Sequence, residues 1–199
     1  MGNNSFFSSP LFCFLYYFLL VPNHKVYSTN TFSNNLINQT CKECADEYTV
    51  GYAYCSSSLG AVPVSHMTNL QGLALISMEL ALENATYTSS SIKNLLADGS
   101  FDSFSLDCLQ DCLELYSDAV LTLIDGVAAF LKGRYDFAEV MVGAVMDAST
   151  KCEEGFMVKG GEVSPLTREN YDLFALCDIA LCIINILGLS VPHYSYALF

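Results

Sequence analysis

From Leu70 onward the apolar residues of this chain recur at steps of three and four. Leu70, Leu73, Ala74, Ser77, Leu80, Ala81 and Ala85 trace one face of a helix. Leu106, Leu109, Leu113, Tyr116, Val120, Leu123, Val127 and Phe130 trace a second, with Asp107, Asp111, Glu114 and Asp118 lying off the stripe. Phe137, Val140, Met141, Ala144, Val145 and Ala148 give a third face, from about Tyr135 to Glu154. Leu173, Leu176, Ala180, Ile183, Ile184 and Leu187 give a fourth. Start and stop signals fall between these stripes. Ser65 or Thr68 is placed to cap the first long helix and Asp98-Gly99 to end it, with a soft spot expected at Thr88–Ser91. Asp102 or Ser103 caps the second, and Gly133 stops it. Gly155, Gly160, Gly161 and Pro165 mark a loop; Thr167 then opens the last helix, which ends at Gly188 ahead of Pro192. Upstream, Asn34–Cys44 and Tyr48–Leu59 make two shorter helices closed by Gly60-Ala61-Val62-Pro63.

Four long helices joined by short connections pack most simply as an all-α, up-down-up-down four-helix bundle. The two short helices form an N-terminal α-helical hairpin appended to it. This domain spans residues 29–189, and residues 190–199 form a loose tail. Phe12 to Val21 is an apolar run too short to cross a bilayer, but it has the length of a signal-peptide core. Residues 1–28 therefore read as a signal peptide, although no Lys or Arg precedes the apolar run. The mature chain would be secreted, with no membrane segment. In that setting Asn38-Gln39-Thr40 and Asn84-Ala85-Thr86 become candidate glycosylation sites at Asn38 and Asn84.

Charge narrows the partners. The 199-residue chain carries 8 Lys and Arg against 21 Asp and Glu, a net −13. Lys25 is the one charged side chain among residues 1–28, so the mature chain would stand at −14. Such a surface repels phosphate backbones and excludes nucleic acid as a partner. It favours basic partners and makes association salt-sensitive.

Nine cysteines suit an oxidising compartment, and Cys13 leaves with the leader. Cys41 and Cys55 enclose a small loop over the hairpin. Cys112 and Cys152 lie 21 and 19 positions from Gly133, so antiparallel helices around that turn bring them to one height. Cys44, Cys108, Cys177 and Cys182 are left as small core residues or an extra bridge. Cys41-Lys42-Glu43-Cys44 has no second Cys pair and only His66 and His193 to help it, so no metal and no cofactor is expected. No enzyme is expected either. The paired acids sit on polar helix faces, Gly160-Gly161 lacks a strand-loop-helix context, and no nucleophile, base and orienting group can be assembled.

Four segments carry a resemblance: Met67-Thr68-Asn69-Leu70-Gln71-Gly72-Leu73, Leu109-Gln110-Asp111-Cys112-Leu113-Glu114-Leu115-Tyr116, Lys151-Cys152-Glu153-Glu154-Gly155-Phe156 and Ser164-Pro165-Leu166-Thr167-Arg168-Glu169-Asn170. In this order, over about Asn35 to Leu187, they resemble the plant invertase/pectin methylesterase inhibitor family. The resemblance implies a disulfide-braced four-helix bundle with an N-terminal hairpin, and bridges Cys41–Cys55 and Cys112–Cys152. It implies an extracellular (apoplast or cell-wall) or vacuolar protein, a monomer that plugs the cleft of a carbohydrate enzyme in a 1:1 complex. Cys44, Cys108, Cys177 and Cys182 depart from the family pattern.

Invertase-directed members resemble one another in a Pro-Lys-Phe segment, to which Tyr135-Asp136-Phe137 corresponds here. These three residues are the candidate target contacts. Asp136 stands where the Lys is expected, and an anion facing a carboxylate-lined sugar cleft is repelled. The leading expectation is thus an inhibitor of pectin methylesterase, with invertase as the alternative target. A reading of another class is a secreted scaffold that inhibits nothing, motivated by the additional cysteines and the apolar tail from Val191 to Phe199. A polar face around Asp111, Glu114, Asp118 and Tyr135 that also exposes apolar side chains favours an interface; a purely charged face favours the scaffold.

Overall fold

The computed structural model describes residues 30–158 and 163–190. Among them, α1 (Asn30–Glu47) and α2 (Tyr52–Gly60) form the hairpin, and a 3₁₀ turn at Pro63–Met67 leads into the bundle. The bundle comprises α3 (Leu70–Asp98), α4 (Ser103–Leu131), α5 (Tyr135–Met157) and α6 (Thr167–Ser190). Each helix packs on its neighbours in chain order, and α6 closes the ring against α3. The expected leader and tail, and Gly160-Gly161, lie outside the described residues.

Local chemistry sets the ends of the long helices. Asn69, rather than Ser65 or Thr68, caps α3: its Oδ1 accepts from the Gly72 N–H at 2.9 Å. Gly72 is needed there because a Cβ would collide with the Thr68 side chain. Ser65 is instead buried in the 3₁₀ turn that Pro63 starts. The polar stretch at Thr88–Ser91 does not loosen α3. Thr88, Ser89 and Ile92 are buried, and the helix runs on to Gly99, which ends it at φ 66°. Asp102 caps α4 through the N–H groups of Phe104 and Ser105 at 2.9 and 3.3 Å. Gly133, at φ 71°, closes the far end of α4: its N–H reaches Phe130 O, and the Arg134 N–H reaches Ala129 O.

The face of α5 departs from the expected stripe. Phe137, Val140 and Ala144 point to solvent, with Phe137 49% and Val140 73% exposed. Ala138, Val142, Val145, Ser149, Cys152 and Phe156 point inward instead. α4 and α5 approach closely along this buried face. The Cα atoms of Cys112 and Cys152 stand 5.0 Å apart, and the space for a Cβ on Gly126 is bounded by Met141 and Val142. Helices this close favour small side chains at the points of contact. The helix also continues through Gly155 to Met157, three residues past Glu154.

The hairpin boundaries shift for a different reason. α1 runs past Cys44 to Glu47, and α2 starts at Tyr52, not Tyr48. The residues between them, and Tyr54 in the first turn of α2, are held by α6. Asp178 Oδ2 accepts from the Val50 N–H at 2.8 Å, Asn185 Nδ2 donates to Tyr48 Oη at 3.0 Å, and Tyr54 Oη donates to Asp172 Oδ1 at 2.9 Å. Three disulfides complete the frame: Cys41–Cys55 within the hairpin, Cys112–Cys152 between α4 and α5, and Cys44–Cys182 from hairpin to α6. Cys108 and Cys177 are buried thiols. Because α6 has the bundle on one side and the hairpin on the other, every residue from Ala175 to Ala180 is buried. Among the described residues only α6 is long and apolar enough to cross a membrane, and most of that stretch is packed inside the protein.

Cys44–Cys182 spans 138 residues, of which Cys112–Cys152 already bypasses forty. In the chain-entropy account a loop of about a hundred residues contributes about 5 kcal/mol. Replacing both Cys44 and Cys182 by Ser is expected to lower the urea midpoint accordingly. Near-native helix content, read by circular dichroism, is expected to survive.

Burial pushes the Asp178 carboxyl above its ordinary range, against the opposing pull of the Val50 and Thr49 N–H groups. The folded state therefore holds a proton that the unfolded chain releases near pH 4. This contribution to stability is complete below about pH 4 and is lost as pH rises through the folded value. In Asp178→Asn the amide oxygen still accepts from Val50, so the variant's Tm is expected to fall less than the wild type's between pH 4 and 7.

Candidate functional site

The α4–α5 turn presents the residues singled out in the sequence. Tyr135 is half-buried: its ring lies 5.1 Å from that of Phe130, and its hydroxyl accepts from Gln71 Nε2 at 3.0 Å. It therefore pins α5 to α3. Asp136 is exposed in the first turn of α5, where the helix dipole favours an anion. Phe137 is the outward side chain, and the Arg134 guanidinium lies over its ring, 4.3 Å from the centroid. A cation stacked on an exposed aromatic is a ready-made contact element. Arg134 supplies it from two residues earlier than the Lys of the Pro-Lys-Phe pattern is expected. The charge inversion at Asp136 thus does not deprive the ring of a cation. Arg134 did not stand out in the sequence, since nothing in a linear pattern shows that a turn folds one side chain back over another.

Above the turn, α4 carries Asp107, Asp111, Glu114, Asp118 and Asp125, all exposed, at steps of three, four and seven. Beside Cys112–Cys152, Asp111, Glu114 and Asp118 border a groove of about 390 Å³ that also takes in Leu115 and Lys151. Cys108 lies at its wall, where the thiol faces Gly155 O at 3.5 Å; burial first, then Asp111 and Asp107, push the thiol pKa up. Leu121 and Ile124 on α4, and Phe137 and Val140 on α5, are exposed as well. The two outer faces are mixed rather than purely charged, which is the composition of an interface.

Motif residues at the junction of α4, α5 and α6 hold this surface in place. Glu153 accepts from Thr167 Oγ1 at 2.7 Å and from Asn170 Nδ2 at 2.6 Å. Asn170 Oδ1 in turn accepts from Tyr116 Oη at 2.7 Å. Burial, followed by the Glu169 carboxylate, pushes the Tyr116 hydroxyl far up, so it remains a donor. Ser164 Oγ accepts from the Leu166 N–H, and Leu166 is buried. One carboxylate thereby fastens α5 to the start of α6, and one tyrosine fastens both to α4.

The remaining sequence candidates are dispersed. Asn38 is exposed on α1 and its Oδ1 accepts from Tyr52 Oη at 3.2 Å. Asn84 is half-buried on α3, and its Oδ1 is enclosed without a hydrogen-bond partner. Among the described residues no group of His, Cys, Asp and Glu is arranged to hold a metal ion.

Asn170→Leu removes the central amide and leaves the Tyr116 hydroxyl and one Glu153 oxygen unpaired. Each orphan costs roughly 1–3 kcal/mol. A loss of about 3 kcal/mol is expected, read from urea denaturation with the disulfides intact.

The sequence and fold have recognisable counterparts. The family model described as "Plant invertase/pectin methylesterase inhibitor" matches residues 35–183. A Platanus acerifolia protein named "Putative invertase inhibitor" is 38% identical over 157 residues, covering 78% of this chain and 87% of that protein. The "Pectinesterase inhibitor" of Actinidia deliciosa is 28% identical over 154 residues, covering 77% of this chain and 80% of its own. A crystal structure of a mutant form of an Arabidopsis pectin methylesterase inhibitor shares the fold, with a TM-score of 0.65 and 23% identity over 75% of this chain and 97% of that one.

Proposed function

This chain belongs to the plant invertase/pectin methylesterase inhibitor family, and from that we propose that it is a secreted protein that blocks pectin methylesterase in a 1:1 complex. The observation that carries the reading is the acidic ladder on α4, Asp107 to Asp125, flanked by exposed apolar side chains. An enzyme that frees carboxylates along pectin handles an anionic polymer. A helix presenting carboxylates at regular steps offers its groove similar charge on a rigid support. The leader at residues 1–28 would deliver the protein to the cell wall. Asn38, the exposed sequon, would carry the glycan in preference to Asn84.

The Arg134–Phe137 stack favours a second target, invertase. It offers a cation and a ring to an acidic sugar cleft, and the Platanus relative carries the name of an invertase inhibitor. The two targets would use different faces and separate by mutation. The test titrates the oxidised chain from Thr29 into a plant pectin methylesterase and an acid invertase. Stoichiometric loss of esterase activity is expected, weakened at least tenfold by Asp111→Lys with Asp118→Lys and relieved by salt. Loss of invertase activity alone, abolished by Arg134→Ala with Phe137→Ala, transfers the reading to invertase. Inhibition of neither overturns both.

A further inference from the structure

Between α5 and the start of α6, on the other side of α5 from the acidic groove, lies an open pocket of about 350 Å³. Its walls are Thr150, Met157, Tyr171 and Phe174, and Glu153 and Thr167 supply its polar edge. Tyr171 is held there from outside, because the ring of Tyr54 in the hairpin meets it edge-on at 5.6 Å. The volume falls at the small end of ligand sites, enough for one long side chain.

Glu153 gives this pocket a charge. Its two oxygens each accept one neutral hydrogen bond, from Thr167 and Asn170. An ionised carboxylate has about four acceptor positions, so two remain. Among the described residues the one ion pair is Arg168–Asp172, at 3.8 Å. The pocket thus combines an anion that has no counter-ion among the described residues with aromatic and thioether walls. A group that satisfies both has an alkyl stem and a cationic head: the stem lies along Met157 and Phe174, and the head meets Glu153 across the Tyr171 ring.

We propose that this pocket receives an arginine or lysine side chain projecting from the enzyme that the protein inhibits, as an anchor separate from the α4 face and the Arg134–Phe137 stack. The choice of a protein side chain over a free cation rests on the inhibitor reading and on the surroundings. Met157 is 63% and Tyr171 55% exposed, so apolar surface continues outward from the pocket mouth as a partner's backbone would require. The strongly acidic chain also selects basic partners.

The probe is n-butylguanidinium, followed by NMR on the oxidised protein, with n-butanol and butyrate beside it. Saturable shifts at the Met157 methyl and Tyr171 ring are expected, at least tenfold tighter for the guanidinium than for butanol and absent for butyrate. Equal binding of butanol, or no shift at Met157, overturns the proposal. Met157→Lys places a cation one turn beyond Glu153 at an exposed position and occupies the pocket from within; Met157→Gln is its neutral control. The lysine variant is expected to lose the probe and to inhibit the enzyme at least tenfold less tightly, while the glutamine variant retains most of both. Loss of the probe with undiminished inhibition shows that the pocket serves a free cation and overturns the anchor. A wild type that takes up the probe but inhibits neither enzyme overturns the functional reading, a failure distinct from that of the pocket.

Discussion

The close approach of α4 and α5 governs most of what this molecule presents to a partner. At Cys112 and Cys152 the two backbones stand 5.0 Å apart between Cα atoms, and farther along Gly126 faces Met141 and Val142. A seam that narrow favours small side chains at the contact, and Ala138, Val142, Val145 and Ser149 are buried on α5. Phe137 and Val140 fall on the opposite, exposed side of the same helix. The same approach keeps the turn short, so that Gly133 must take positive φ and Arg134 folds back over Phe137. The disulfide locks the distance; the small residues make it attainable.

A second constraint runs through α6, which is wrapped by bundle and hairpin together. A helix buried on nearly all sides cannot be fixed by an amphipathic stripe alone, because rotation about its axis exchanges one apolar contact for another. Directional bonds supply the register. Asn170 meets Glu153 and Tyr116 near one end, Asp178 holds the hairpin loop in the middle, and Cys182 and Asn185 hold it farther on. The buried polar side chains Asn170 and Asp178 of α6 are both matched, and a rotated helix would leave them and their partners orphaned.

Seen against this, the sequence disclosed the fold and little of the site. The helices, their caps at Asp102 and Gly133, and their bundle order follow from periodicity and turn chemistry, which are local. The face of α5 differs from the expected stripe because apolar residues lie on both of its sides: Val142 and Val145 are buried while Val140 is exposed, and local periodicity does not choose between them. The start of α2 departs from the expectation because α6 holds Tyr48 and Val50 in the connecting loop through Asn185 and Asp178, partners more than a hundred residues away that no local pattern reveals. The pairing of Cys44 with Cys182 had no local signal at all. The family-like segments fared differently. Asn69 is a cap, Gly72 clears Thr68, and Cys112, Tyr116, Cys152, Glu153, Thr167 and Asn170 are bridges or a buried network. What such segments record is how the scaffold is fastened, which explains why they point to the family more clearly than to a target.

Target choice must then reside in what the scaffold leaves free, and here charge placement matters more than net charge. Asp136 and Arg134 lie two residues apart at the same turn, yet only Arg134 is stacked on the exposed ring. Reading the turn by its central residue assigns it the wrong sign. The α4 ladder, by contrast, has Lys151 as the only cation along its groove, so its field is uniformly negative over several turns. A partner meeting both surfaces would need a basic groove beside an acidic recess. A partner meeting only one would be steered by whichever field is longer-ranged, and that is the ladder: five aligned carboxylates outlast one stacked guanidinium across a Debye length of about 8 Å. The two surfaces therefore offer a partner opposite charges, negative along α4 and positive at the Arg134–Phe137 stack, and each rests on a few exposed side chains that the fold does not need.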